Sequence, residues 1–461
     1  MTNEELALAK EYAESDNYSK AWLIVSKALN EEPDEPKALC IAAYMLEKQN
    51  NAAIAYQLLK RVTQLYPTNS TGWLNLGKCC DSLWRMEESE ASYRRALNNV
   101  KPGDDDTKVI LFTNLSALFM QLGRFNEARG YAERALKIDP EHLKSRHNLG
   151  VALLADQQWE QGWKQYEASV GSPHRPMFRY GDEPNWKGEE KGTVVIYGEQ
   201  GIGDEISAAS MFQDAIDRAE KLIIDCDARL KNLLQRSFPK AKIYGTRKEK
   251  VLNWDDEDHK IDYSIAAMQL GAIFRLKTEQ FTGKPYLIPD ADRVHMWKTL
   301  WAAKRKQAIG IAWTGGVSET AAKYRVWNID QIAEIVRSVD AHWVCLQYKD
   351  ATEQLKEFHA KYPDLHIEQY PYATLTKDYD DMCALVASLD GVVAMQSTAV
   401  HTAGALGIPC AAAIPKTSQW RYGTTGDTLP WYSSVKMFRQ KELGKWELSG
   451  IKTWLQQYQS L

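Results

Sequence analysis

The chain has 461 residues, 44% of them hydrophobic and 26% charged, and carries a formal net charge of −4. That is a globular composition long enough for two or three domains. It supplies no bulk electrostatic drive toward nucleic acid or an anionic membrane, so only a local basic groove would bring nucleic acid to the surface.

The first segment, MTNEELALAKEYAESD, is acidic and amphipathic and has no signal-peptide core. No apolar run approaches the roughly 18 residues that a membrane-crossing helix needs. The seven cysteines form no Cys-x-x-Cys pair and sit mostly in apolar runs, as reduced core thiols in a cytoplasmic compartment would.

A 34-residue period runs through residues 1–170. Ala21, Ala55 and Ser89 are spaced by it, as are Pro33 and Pro67. After an insertion near Pro102–Asp106 the phase resumes at Ser116 and Gly150, and at Ala128 and Gly162. Small residues at these points let two helices cross closely, and the prolines end the second helix of each unit. Trp73-x2-Leu76-Gly77 followed by Tyr93-x2-Ala96-Leu97 is the clearest unit. On these residues the segment resembles the tetratricopeptide repeat family, with five units starting near residues 2, 36, 70, 109 and 143. The resemblance implies an α-solenoid whose concave face holds a protein or peptide. The other use of such an array is to prop up the next domain or pair with a second copy of the chain.

Residues 171–190, rich in Gly, Pro and charge, read as a linker anchored by Phe178, Tyr180 and Trp186, with His174 and Arg175 near enough in sequence to reach a site but better read as linker residues. An α/β unit is expected over 191–300. Thr193 to Gly198 reads as a strand, followed by Glu199-Gln200-Gly201-Ile202-Gly203-Asp204-Glu205 and a helix. Gly201 and Gly203 make a phosphate-type loop that lacks the third glycine of a dinucleotide fingerprint, Ile206 standing in its place. Asp204 is either a first-turn acid on the helix dipole or a general base pointing into a cleft. In the second role a cleft wall, or a nearby acid such as Glu199 or Glu205, would have to offset the dipole. Asp225-Cys226-Asp227 reads as a strand end and helix cap rather than a metal motif.

A second α/β unit is expected over 301–461. Ala308 to Trp313 is a strand followed by Thr314-Gly315-Gly316 and a polar loop with Lys323, Tyr324 and Arg325. His342 to Tyr348 is another strand, which carries Gln347. The most informative stretch is Gly391 to Pro415. It reads as a buried strand, a polar junction at Gln396, Ser397 and Thr398, a small-residue helix, and a strand from Cys410. Ser397 and Thr398 are placed to cap the helix, and His401 shares their helical face. A helix start at a strand's carboxyl end is a phosphate site, because free N–H groups and the helix dipole converge there.

Read together, GEQGIGDEI, GIAWTGG with the later Arg325, VCLQYKD, SLDGVVAMQSTAVHTAGALGIP and PWYSSVKMFRQ resemble the tetratricopeptide-linked branch of the ADP-heptose:lipopolysaccharide heptosyltransferase-like family. The resemblance covers nearly the whole chain and includes WEQGWKQYE. It implies a GT-B fold of two Rossmann-like units facing a cleft, with the acceptor on the first and the nucleotide-sugar donor on the second. It further implies an inverting, metal-independent glycosyltransferase that takes a nucleotide-diphosphate sugar as co-substrate. Asp204 stands where the family has its candidate base, behind the acceptor-side loop of Gln200, Gly201 and Gly203. Thr314, Gly315 and Arg325 stand in its diphosphate loops, Gln347 near the donor base, and Ser397, Thr398 and His401 at its donor junction. The family often has an acid where this chain has Gln396, which removes a carboxylate from the donor site. The O-GlcNAc transferases also pair such repeats with this fold, but their catalytic motifs are not evident here. The competing reading is a catalytically silent scaffold that binds a partner through its repeats.

Overall fold

A computed structural model describes residues 2–459 apart from positions 173, 174, 176, 178, 179, 181, 317–323 and 376, and apart from the side chains at 256, 458 and 459. His174, Phe178 and Lys323 therefore lie outside the described residues. The chain divides into two compact units, Met1–Leu149 and Gly150–Leu461.

The first unit is built of antiparallel helix pairs: Asn3–Glu14 with Tyr18–Glu31, Pro36–Lys48 with Ala52–Leu65, Ser70–Ser82 with Met86–Asn98, and Asp105–Gln121 with Phe125–Ile138. The small positions of the period are where the paired helices meet. A Cβ on Gly77 would stand 2.5 Å from the Tyr93 ring. Where the period supplies serine instead, its hydroxyl crosses to the partner helix: Ser89 donates to the Gly77 carbonyl at 3.0 Å and Ser116 to that of Ala128 at 2.7 Å. Side-chain caps set the helix starts. Asn69 accepts from Gly72 N–H at 3.0 Å and Asp104 from Thr107 N–H at 3.1 Å. The insertion lengthens the fourth pair's first helix, which starts at Asp105 rather than near 109.

The second unit holds two sheets. The first contains β1 (Thr193–Tyr197), β2 (Lys221–Asp225), β3 (Lys242–Tyr244) and β4 (Tyr263–Ala266), all parallel in the order β3-β2-β1-β4. The second contains β5 (Ala308–Ala312), β6 (His342–Cys345), β7 (Ile367–Gln369), β8 (Gly391–Met395), β9 (Cys410–Ile414), β10 (Thr428–Leu429) and β11 (Tyr432–Arg439). Its order is β10-β11-β9-β8-β5-β6-β7, and only the β10–β11 pairing is antiparallel. In each sheet successive strands step outward on one side and then restart on the other, between β1 and β4 and between β5 and β8. Such reversal points are where doubly wound sheets leave a crevice beyond the strands' carboxyl ends. β5, β8 and β9 are buried at every residue, as continuous apolar runs between helical layers must be.

Three boundaries differ from the sequence expectation. The break between compact units falls at Leu149/Gly150 rather than near residue 170, because the Trp159–Tyr166 helix is anchored within the second unit. Its Trp163 Nε1 donates to the Arg275 carbonyl at 2.9 Å and its Trp159 Nε1 to Thr278 Oγ1 at 2.9 Å. The stretch expected as a linker is anchored at some of its described positions and exposed at others: Trp186 is fully buried and Arg175 is buried against Glu199, while Asp182, Asn185 and Lys187 are exposed. The range 191–300 expected for the first α/β unit takes in most of the Ala291–Lys304 helix, which packs on elements of the second sheet. Its Trp297 ring lies 5.0 Å from that of Tyr370, and Trp301 Nε1 donates to Ser388 Oγ at 2.8 Å.

Candidate ligand cleft

A cavity of about 540 Å³ opens between the carboxyl edges of the two sheets, at the β5/β8 reversal point. That volume is in the range of small-ligand sites. From the first sheet's side it is lined by Gly201, Gly203 and Asp204. From the second it is lined by Arg325, Gln347, Gln396, Ser397, Thr398 and His401. A larger recess of about 620 Å³ lies against Trp313, Trp327 and Phe358, but the charges around it, such as Asp330 and Lys361, are exposed and paired with each other.

Asp204 sits in the first turn of the Ile202–Ala208 helix, where its carboxylate accepts from Gly201 N–H at 3.0 Å. Its other oxygen is in contact with the guanidinium of Arg421, which also reaches Gln419 Oε1 at 3.3 Å. Glu199 and Glu205 do not stand beside Asp204 to offset the dipole. Each is buried against an arginine of its own, Arg175 and Arg247 respectively. Gln200 lies outside the cavity lining: its amide donates to the Tyr166 hydroxyl at 3.2 Å, and its carbonyl accepts from Arg247 at 2.6 Å. Gly203 sits where the Ile202–Ala208 helix meets the Thr398–Leu406 helix. A Cβ there would stand 3.3 Å from both His401 Cδ2 and Thr398 Oγ1.

On the opposite edge, Gly315 departs from its expected role. Its N–H is spent on the Arg325 carbonyl at 3.0 Å, and a Cβ would meet the Gln396 carbonyl oxygen at 2.0 Å. Its glycine identity therefore serves the close approach of two strand ends, and its N–H is not free for a phosphate. Thr314 lies behind the cavity wall, accepting from Gln347 Nε2 at 2.7 Å. Ser397 occupies the N-cap position of the Thr398–Leu406 helix but makes no capping hydrogen bond. Its hydroxyl is buried without a partner, as are both polar atoms of the Gln396 amide and Oε1 of Gln347. Buried polar atoms are ordinarily satisfied, so four unpartnered ones around a single cavity mark where a polar ligand would bind.

Arg325 is 5% exposed. Its Nη2 donates to the Thr417 carbonyl at 2.9 Å, its Nε has no partner, and no carboxylate pairs with it among the described residues. Burial lowers its pKa from the ordinary guanidinium value, with the Tyr422 hydroxyl pulling weakly the other way. His401 is held between two tyrosines, with Nε2 3.0 Å from the Tyr422 hydroxyl and Nδ1 3.2 Å from that of Tyr432. Burial, and then the charge of Arg421, lowers the imidazole to about 3, so it is a neutral hydrogen-bonding group. Asp225 and Asp227 are both engaged as a strand end and cap: Asp225 accepts from Thr246 N–H and Tyr180, and Asp227 from Arg229 N–H.

Sequence reasoning did not single out Arg421, Tyr422 or Tyr432. All three lie in the KTSQWRYG and PWYSS segments after β9, and the partner of Arg421 is 217 residues away. An arginine followed by tyrosine just beyond a buried strand's carboxyl end was the only local signal.

Comparison with known proteins gives family models within the first unit and a relative that aligns along most of the chain. The family model described as anaphase-promoting complex, cyclosome, subunit 3 matches residues 14–96, and the tetratricopeptide repeat model matches residues 110–142. Protein FlbA of Caulobacter vibrioides is 26% identical over 439 residues, 90% of this chain and 71% of that protein. Tetratricopeptide repeat protein 8 of Caenorhabditis elegans is 22% identical over 134 residues, 29% of this chain and 26% of that protein. The solved structure of PilF from Pseudomonas aeruginosa aligns with a TM-score of 0.35 and 16% identity, covering 38% of this chain and 79% of its own. No helix among the described residues is long and apolar enough to cross a membrane. The helix pairs and the matched repeat models make the first unit a tetratricopeptide-repeat array, followed by an α/β unit.

Proposed function

We propose that the second unit is a GT-B glycosyltransferase of the heptosyltransferase-like kind, using a nucleotide-diphosphate sugar. The observation that carries this reading is Arg325, a buried guanidinium without a carboxylate among the described residues, in a cavity whose opposite wall carries Asp204. A buried unpaired cation is costly, and a diphosphate would compensate it. The start of the Thr398–Leu406 helix adds N–H groups that lack intrahelical acceptors. The unpartnered amide of Gln396, Oε1 of Gln347 and the Ser397 hydroxyl are free to bond base, ribose or sugar.

In the reaction an acceptor hydroxyl attacks the anomeric carbon. The bond from that carbon to the diphosphate oxygen breaks with inversion, Asp204 takes the hydroxyl proton, and the nucleoside diphosphate leaves against Arg325. Arg421 enters this cycle through its contact with Asp204. An anionic donor draws the guanidinium toward itself and frees the carboxylate. The repeats hold the acceptor, a protein, peptide or glycan, or else join two copies of the chain.

The test is a panel of nucleotide-diphosphate sugars, with mass spectrometry of the released nucleotide. Asp204→Asn is expected to lower turnover about 10²–10⁴-fold with donor binding retained, and near-normal turnover would remove Asp204 as the base. The closed Asp204–Arg421 contact and the neutral Gln396 favour a second reading, a silent ligand-binding scaffold. Thermal stabilisation by nucleotide diphosphates without release from any donor would support that one.

A further inference from the structure

Behind the cleft wall runs a chain of polar rings that the proposed reaction does not use. Tyr286 donates to the Ile206 carbonyl at 2.6 Å, in the helix that carries Asp204. The Tyr432 hydroxyl lies 3.4 Å from that of Tyr286 and 3.2 Å from His401 Nδ1, and the Tyr422 hydroxyl lies 3.0 Å from His401 Nε2. His401 and Tyr422 line the cavity, whereas Tyr432 and Tyr286 are not among its lining residues. The sequence reading places His401 at the donor junction. Both of its nitrogens are engaged by tyrosines, which leaves it none for a ligand.

Burial holds the three phenols above their ordinary range and the imidazole below its own, so each ring is neutral and has one proton to give. The Tyr286 proton is spent on the Ile206 carbonyl. A good hydroxyl–hydroxyl bond spans about 2.5–3.0 Å, so the Tyr432 proton goes to His401 Nδ1 rather than to Tyr286. An imidazole that accepts at Nδ1 carries its proton on Nε2, and that proton goes to the Tyr422 oxygen. The Tyr422 proton is left without an acceptor among the described residues, on a side chain that faces the cavity. The opposite polarity would strand the Tyr432 proton instead, on a fully buried ring with no ligand space beside it.

We propose that the Tyr422 hydroxyl donates to an anionic oxygen of the ligand beside Arg325, and that His401, in its Nε2–H tautomer, aims that hydroxyl into the cleft. Tyr422 lies within electrostatic reach of the Arg325 guanidinium. A hydroxyl donor next to a buried cation favours a charged oxygen over a neutral one. Tyr422 is then a binding residue, and His401 a positioning residue that acts through it. The proposal rests on the diphosphate reading of the cleft, but its tautomer is fixed by the chain's own residues and is measured without ligand or turnover.

The tautomer is read from a long-range proton–nitrogen correlation spectrum of the full chain with histidine isotopically labelled at nitrogen. The His401 signals are those that vanish in His401→Gln. The proton should sit on Nε2, and a proton on Nδ1 would overturn the arrangement. The anion is tested by titration calorimetry with inorganic pyrophosphate. Tyr422→Phe, which deletes only the hydroxyl, should weaken binding about tenfold, the worth of one hydrogen bond to a charged group. His401→Leu should weaken it about 2- to 10-fold. The double variant should bind no worse than Tyr422→Phe alone, because the imidazole acts through the phenol. His401→Gln keeps an N–H donor and should hold near wild-type affinity, a rescue that a merely structural role would not give. Pyrophosphate binding unchanged in Tyr422→Phe, or additive losses in the double variant, would overturn this proposal alone. No binding by the wild-type chain would overturn the anion assignment and the diphosphate reading together.

Discussion

Among the described residues, the buried polar side chains of the repeat unit are hydroxyls and amides: Thr63, Ser89, Ser92, Thr113, Asn114, Ser116, Ser145 and Asn148. The α/β unit instead buries full charges, among them Arg175, Glu199, Glu205, Arg247, Arg325 and Arg421. A hydroxyl that bonds to a carbonyl one helix away costs little to bury. An ion costs several kcal/mol to desolvate, even when paired. A solenoid that only has to stack its helices can leave its charges on the rims. A unit that has to meet a charged ligand in a dry cleft keeps them inside, and most are paired off while they wait. Arg325 departs from that pattern, and this makes it the most informative side chain in the cleft.

The largest expected effect tests whether the pairs and Arg325 really differ. Glu199→Gln removes the charge facing Arg175, which is fully buried, and should cost about 3–5 kcal/mol of unfolding free energy, because it leaves an uncompensated ion. Arg325→Met removes an ion with no carboxylate opposite. It should leave stability unchanged or raise it by about 1–3 kcal/mol, while abolishing the thermal shift given by a nucleotide diphosphate. Guanidinium titrations of both variants, with and without nucleotide, make the comparison. A destabilised Arg325→Met would place that residue among the structural pairs.

A smaller effect is expected from pH. His401 is pulled down to about 3 in the folded chain by burial and by Arg421, whereas an unfolded histidine titrates near 6.5. Between those values the unfolded chain takes up a proton that the folded one refuses. This contribution to stability is therefore whole above about pH 6.5 and is lost progressively as pH falls toward 3. From about pH 7 to about pH 5 the loss amounts to about 2 kcal/mol. His401→Gln should lose less over the same interval by that margin, read as the difference in urea midpoints. The repeat unit has no buried histidine among its described residues and should give no matching term.

What the sequence disclosed follows the same division. The repeats were legible because their packing is local: Ala21, Ala55 and Ser89 recur in phase, each buried on the second helix of its pair. The β8–helix–β9 stretch was legible because a strand buried on both faces leaves an unbroken apolar run. The cleft's electrostatics were not legible. Asp204 meets Arg421, and Arg175 meets Glu199, only after the sheets have formed, and no spacing rule carries such pairings. Gly315 was read for its chemistry when its neighbour's carbonyl oxygen decides its identity. Arg325 was legible as a cation, but its burial and lack of a carboxylate were not.

The smallest effect compares two residues that occupy the same position at helix starts in the two units. Asn69 caps Ser70–Ser82 and accepts the Gly72 N–H, so Asn69→Ala should cost about 1 kcal/mol. Ser397 stands at the N-cap of Thr398–Leu406 but leaves its buried hydroxyl unpartnered. Ser397→Ala deletes an unsatisfied polar atom and should be neutral within about 0.5 kcal/mol, or stabilising. The cost should appear in binding instead, as a nucleotide-diphosphate affinity weakened about 2- to 10-fold, the worth of one hydrogen bond. Isothermal titration beside a urea titration separates the two quantities. If Ser397→Ala costs as much stability as Asn69→Ala and leaves binding untouched, the hydroxyl serves the helix, and the donor site loses one of its four waiting polar atoms.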